Sequence, residues 1–187
     1  MKTYFFILAL PRSLTSWLSV VLSPPDSGVR CIHDGFENVW SMTDMRRKLD
    51  TCNTSVVGNS DSFNLACIDE IKEAFPEARF VAIRRDIDDV LKSLVRCGLP
   101  IECEEIMRKA GAILDGIDKS IPQFSTKEIV TEDGARRLWS AIADDRPFPL
   151  SWFNQVRRLK IEPMNVFEGV PMCNEWTAKT IKRFMEV

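Results

Sequence analysis

The chain has 187 residues, 45% hydrophobic and 28% charged, with a formal net charge of −2 and a pI near 5.6. That length suits a single domain with a sizeable core, and the composition is that of an ordinary globular protein. An acidic balance without a long basic run argues against coating nucleic acid, and no apolar stretch approaches the roughly 20 residues of a membrane-spanning helix.

Residues 4–10 form an apolar run of strand length that breaks at Pro11. Preceded by Lys2, the run imitates a signal peptide. It is short, however, Arg12 interrupts it, and no clean small-residue cleavage site follows, so it reads as the buried first strand of a cytoplasmic protein. Apolar residues at 14, 17, 18, 21 and 22 then trace one face of a helix, with Ser13 as its expected N-cap and Pro24-Pro25 as its stop. Strand, short polar loop and helix start form a phosphate-binding geometry, because unpaired N–H groups and the positive end of the helix dipole face the loop. Arg12 and the hydroxyls of Ser13, Thr15 and Ser16 stand where the anion would sit.

Further along, residues 28–34 read as a second strand ending in His33-Asp34-Gly35, and 38–50 as a helix with Met45, Arg46 and Lys48 on its surface or rim. A third strand at 55–57 runs into Asn59-Ser60-Asp61, and a helix follows over 62–75. Residues 79–83 are the clearest later strand, meeting Arg84-Arg85-Asp86, and Ile87, Val90, Leu91, Leu94 and Val95 mark the next helix, ended by Gly98 and Pro100. Strand–helix alternation predicts an α/β fold, a three-layer parallel sheet flanked by helices, with ligands bound beyond the carboxyl ends of the strands. The polar cluster after each strand is expected to converge on one edge. Residues 1–97 would be the nucleotide-binding core and 98–187 a mostly helical cover. The expected helices of that cover lie at 102–118, 135–142, 151–159 and 177–186, with a short strand within 124–130. Six cysteines without a C-x-x-C, and a single His, argue for reduced thiols and against a zinc site.

Set on the triphosphatase loop G-x-x-x-x-G-K-[ST], Ala9 replaces the first Gly, Leu14 the second, Thr15 the Lys and Ser16 the last hydroxyl. Without the Lys, ATP or GTP hydrolysis fits poorly. Pro11-Arg12-Ser13-Leu14-Thr15-Ser16-Trp17-Leu18 instead resembles the P-[KR]-S-G-T-[TS]-W-[LF] loop of sulfotransferases that use 3′-phosphoadenosine 5′-phosphosulfate. Arg85-Asp86-Ile87-Asp88-Asp89-Val90-Leu91-Lys92-Ser93 is similar to the family's R-[DN]-P-x-D-x-x-x-S stretch, with Ile87 in place of Pro. The resemblance covers about the first 97 residues; the family's C-terminal R-K-G-x-x-G-x-W-K stretch is absent.

The resemblance implies a P-loop-type fold. It also implies transfer of a sulfuryl group from that donor to a hydroxyl or amine of a small-molecule or glycan acceptor, without a metal. It assigns Arg12 to the 5′-phosphate and leaving oxygen, supported by the loop residues Ser13, Leu14, Thr15 and Ser16. Arg85 and Ser93 would hold the 3′-phosphate. Trp17 would contact the adenine or simply pack in the core. The acceptor's proton needs a base. Asp61, near the position of the family's usual His, is the first candidate and His33 the second; Asp61 equally suits a cap for the helix from Ser62, and His33 a structural role. Two other functions stay open: a non-catalytic nucleotide-binding protein of the same fold, and a small-molecule kinase with a degenerate loop.

Overall fold

The computed structural model describes residues 2–96 and 104–158. Strand β1 (Thr3–Ala9) is the apolar run, and Phe5 to Ala9 are wholly buried. Its residues serve both faces of the sheet in alternation. Phe5, Ile7 and Ala9 enter one core cluster, while Phe6 and Leu8 enter two others. A strand covered on both faces has to be apolar throughout, which is why this one imitates a signal segment.

After β1 come α1 (Thr15–Val21), β2 (Val29–His33), α2 (Met42–Asp50), β3 (Val56–Ser60), a 3₁₀ turn (Ser62–Leu65), α3 (Ile68–Ala74), β4 (Arg79–Arg84) and α4 (Ile87–Arg96). The second half adds α5 (Glu104–Asp115), β5 (Gln123–Ser125), α6 (Thr126–Ile129), α7 (Glu132–Ile142) and α8 (Leu150–Val156). The strands run β2-β3-β1-β4-β5 across the sheet, and every pairing is parallel. Phe5 lies opposite Gly58 on one side and Arg79 on the other. The connection from β3 to β4 crosses over β1, so the strand order reverses at β1, where α/β sheets hold their ligands.

The sheet has a layer of helices on each face. Trp17, Leu18 and Val21 of α1 pack with Leu138 and Trp139 of α7 and Phe153 of α8 on one face. On the other, Met45 and Leu49 of α2 and Ile71 of α3 surround Phe6. Beside them, Val90 and Leu94 of α4 and Ala110 and Leu114 of α5 close over Leu8. The expected α/β, three-layer parallel architecture is what the chain adopts.

Several boundaries differ from expectation. The helix placed at 38–50 starts at Met42, because Ser41 caps it by accepting from the Asp44 N–H at 3.2 Å. Met45, expected on its surface or rim, is fully buried. The helix placed over 62–75 divides into the 3₁₀ turn and α3. Within 124–130 only Phe124 and Ser125 are strand, the end of a β5 that begins at Gln123, because Ser125 ends the strand by forming a reciprocal capping box with Glu128 for α6. The helix expected at 177–186, and the Gly98 and Pro100 stop signals, lie outside the described residues. No helix among the described residues is long and apolar enough to cross a membrane.

Candidate functional site

Because β1 to β4 are parallel neighbours, the polar clusters that follow them leave the sheet at one edge. The loop after β1 is the most tightly wound. Arg12 and Leu14 both take the left-handed backbone conformation, at φ 63° and 66°. Each costs a residue other than glycine about 1–2 kcal/mol. Leu14 is held there partly because its side chain packs against the core cluster containing Trp17 and Leu18. Leu14 thus holds a backbone conformation that ordinarily favours glycine.

Leu14, not Ser13, occupies the N-cap position of α1, and no side chain caps that helix. The expected Ser13 cap fails because the turn buries Ser13 completely; its N–H donates to the Leu10 carbonyl at 3.3 Å, and its Oγ has no hydrogen-bond partner. A buried hydroxyl left unbonded costs about 1–3 kcal/mol, so this one fits a site that gains an acceptor on binding.

Across the loop, Arg12 Nε donates to Ser93 Oγ at 3.1 Å, and the Arg85 guanidinium donates to the Arg12 carbonyl. The sequence around Arg85 explains the arrangement. Asp86 accepts from the N–H groups of Asp88 and Asp89 at 3.0 and 3.1 Å, which starts α4 and places Ser93 two turns along it. Arg84 and Arg85 have different fates. Arg84 donates to Gln123 Oε1 at 2.6 Å and the Leu114 carbonyl at 3.0 Å and pairs with Asp115, so it is consumed by the packing of β4 on β5 and α5. Among the described residues neither Arg12 nor Arg85 pairs with a carboxylate, and both are half-buried. Two guanidinium groups without a carboxylate partner among the described residues, one of them in the same loop as an unbonded hydroxyl, suit an anion.

A second group lies where α1 meets β2 and β3. Ser60 Oγ donates to the Thr15 carbonyl at 3.0 Å and ties the loop to β3. Ser16 Oγ lies 2.9 Å from His33 Nε2, with Thr15 Oγ1 farther off at 3.5 Å. His33 Nδ1 lies 3.0 Å from Asp34 Oδ2. Asp34 turns back on its neighbour because it, too, is left-handed, at φ 49°.

Asp61 is 7% exposed and fully engaged: Oδ1 accepts from the Phe63 N–H at 2.8 Å and Oδ2 from the Phe36 N–H at 3.2 Å. It caps the 3₁₀ turn and pins the loop after β2. Burial raises its pKa above the ordinary carboxyl value, opposed by those two backbone bonds; Asp34 adds to the rise and His33 counters it. Beneath it, Asn64 Nδ2 donates to the carbonyls of Ile7 and Asn59 at 2.8 and 3.0 Å, and Asn59 Nδ2 to Asn64 Oδ1 at 2.8 Å.

Arg12, Arg85 and Ser93 are therefore brought together, as are Thr15, Ser16 and His33. Trp17 goes into the core, 7% exposed and edge-on to Phe153. Sequence reasoning placed Asp34 in a converging polar cluster without a role of its own, and passed over Asn64. Asp34 stood in the His33-Asp34-Gly35 cluster, whose Asp-Gly turn signal foretells a reversal but not its target. Asn64, inside an apolar-looking segment, gave no signal. Among the described residues no three His, Cys, Asp or Glu side chains gather as a metal-binding group.

A model of the sulfotransferase family matches residues 29–102. That stretch includes β2 to α4, and so His33, Asp61, Arg85 and Ser93, while the loop at 11–18 precedes it. No curated protein matches the chain.

Proposed function

We propose that this chain, a sulfotransferase-family sequence over residues 29–102, binds 3′-phosphoadenosine 5′-phosphosulfate and transfers its sulfuryl group to a hydroxyl or amine of a small-molecule or glycan acceptor. The supporting observation is the junction of Arg12, Ser93 and Arg85, which links the two segments that resemble the family's 5′- and 3′-phosphate sites. Arg12 with the hydroxyls of Ser13, Thr15 and Ser16 holds the 5′ end, and Arg85 with Ser93 the 3′-phosphate. The donor supplies the sulfuryl group and a bisphosphate leaving group. The protein contributes position and positive charge where the leaving oxygen becomes negative, and such preorganised electrostatics suffice without covalent catalysis.

Calorimetric titration with adenosine 3′,5′-bisphosphate tests this reading. Binding near micromolar is expected for the native chain, lost in the Arg12→Ala, Arg85→Ala double variant and weak with ATP. No heat of binding to folded native protein would overturn it.

Leu14 favours a second reading. A side chain at this position narrows the approach of a phosphate to the backbone, which suits a nucleotide-binding protein that no longer transfers. Bisphosphate binding without sulfuryl transfer across an acceptor screen would select it. A cytoplasmic location is part of the proposal, supported by the place of the N-terminal apolar run at the sheet centre and by the thiols of Cys31 and Cys52.

A further inference from the structure

Ser16, His33 and Asp34 form a hydrogen-bonded chain at the mouth of the loop, with His33 32% and Asp34 60% exposed at their side chains. A carboxylate only accepts, so a neutral His33 facing Asp34 through Nδ1 carries its proton there. That leaves the Nε2 lone pair directed at Ser16, whose hydroxyl donates to it. His33 also lies beside Ser60 in the register of β2 on β3, and Ser60 is followed by the buried carboxyl of Asp61.

We propose that Asp34 is a positioning residue fixing His33 as the Nδ1–H tautomer, and that Ser16 masks Nε2 until an anion seated in the loop draws the hydroxyl away. The inference rests on the donor site proposed above. Ser16 belongs to the loop that holds the donor's 5′ end, so loading the donor rotates its hydroxyl toward phosphate oxygen and releases Nε2. The freed Nε2 takes the proton of the acceptor as its oxygen or nitrogen bonds to sulfur. The bond from sulfur to the bridging oxygen breaks, with its electron pair staying on the bisphosphate. Asp61 is poorly placed for this task, because both its oxygens already accept backbone N–H bonds. Coupling the base to donor loading makes the site idle toward acceptor alone.

His33 is the single histidine of the chain, so ¹⁵N NMR of histidine-labelled protein, prepared without a histidine tag, reports on it alone. The spectrum is taken about two units above the ordinary histidine pKa of about 6.5. A protonated Nδ1 and an unprotonated Nε2 are expected. Asp34→Gly, which suits the positive φ, should shift the ring toward the Nε2–H form, and Asp34→Asn, a weaker acceptor, should fall between. Saturating adenosine 3′,5′-bisphosphate should move the Nε2 resonance and leave Nδ1 in place, and Ser16→Ala should produce that movement without ligand. A native ring protonated at Nε2 would overturn the positioning role. Bisphosphate that binds by calorimetry yet leaves Nε2 unmoved would overturn the masking. Absence of calorimetric binding would overturn the donor site and the masking together, while the tautomers of native and Asp34→Gly protein would still decide the role of Asp34.

Discussion

Leu14 holds φ 66° with its side chain against the core, so two effects oppose each other when it is shortened. Leu14→Gly relieves about 1–2 kcal/mol of left-handed strain. It also loses partly buried side-chain area and adds glycine's backbone entropy, together of similar size. Urea denaturation should therefore show a stability within about 1 kcal/mol of the native value. Affinity for adenosine 3′,5′-bisphosphate should rise several-fold as the backbone opens to phosphate. A fall in affinity would mean that the leucine shapes the site instead of narrowing it. Asp61 makes a different prediction. Its folded pKa is raised by burial, so its favourable contribution is full below the unfolded value of about 3.9 and is lost as pH rises through the folded value. Asp61→Asn cannot titrate. The stability of the native protein relative to this variant should fall as pH climbs from about 4 toward neutrality, and a gap independent of pH would contradict the cause assigned. At this scale the sequence distinguished poorly between neighbours. Arg84 and Arg85 look alike, and only the packing of β5 and α5 shows which of them is consumed.

The 3₁₀ turn after β3 contributes a single buried asparagine that braces three elements. Asn64 bonds the Ile7 carbonyl of β1 and the Asn59 carbonyl and side chain of β3. Asn59 Oδ1 in turn accepts from the Gly35 N–H at 3.1 Å, which anchors the loop after β2. Asn64→Ala leaves several buried polar groups without partners at about 1–3 kcal/mol each. A loss of about 3 kcal/mol is expected by urea denaturation, accompanied by weaker bisphosphate binding because the loop edges move. Loss of stability with unchanged affinity would show that the brace does not reach the site. The periodic apolar pattern over 62–75 suggested one helix because Phe63, Ala66, Cys67 and Ile71 keep helical spacing. It broke where Asp61 turned to cap and Asn64 turned inward, and both are polar choices that an apolar period cannot register. Ser125 was hidden for a related reason: it ends a strand and begins a helix within one residue.

For the molecule as a whole, strand–helix alternation was the legible signal, because each buried strand needed an apolar run and each covering helix an apolar face. Convergence of the polar clusters followed from parallel strands alone. Which of those side chains touch was not legible, since the contacts Arg12–Ser93 and Ser16–His33 depend on how the loops turn at positive φ. If the donor site spans both motifs, ligand binding should stabilise the entire fold and not one loop. Adenosine 3′,5′-bisphosphate at a hundred times its dissociation constant should add about 2.7 kcal/mol to the unfolding free energy, with no such gain in the Arg12→Ala, Arg85→Ala variant. A rise of equal size in that variant would place the ligand elsewhere.

The pairing of Phe5 with both Gly58 and Arg79 also has a consequence in time. A ribosome adding about 5–20 residues per second delivers β1 several seconds before β4 exists. For that interval five adjacent residues, Phe5 to Ala9, have no sheet to enter and face solvent or the exit port of the ribosome. A segment wholly enclosed in the finished molecule is thus exposed during its manufacture. A factor that shelters the nascent chain for those seconds should raise the yield of folded protein more than any change to its final stability.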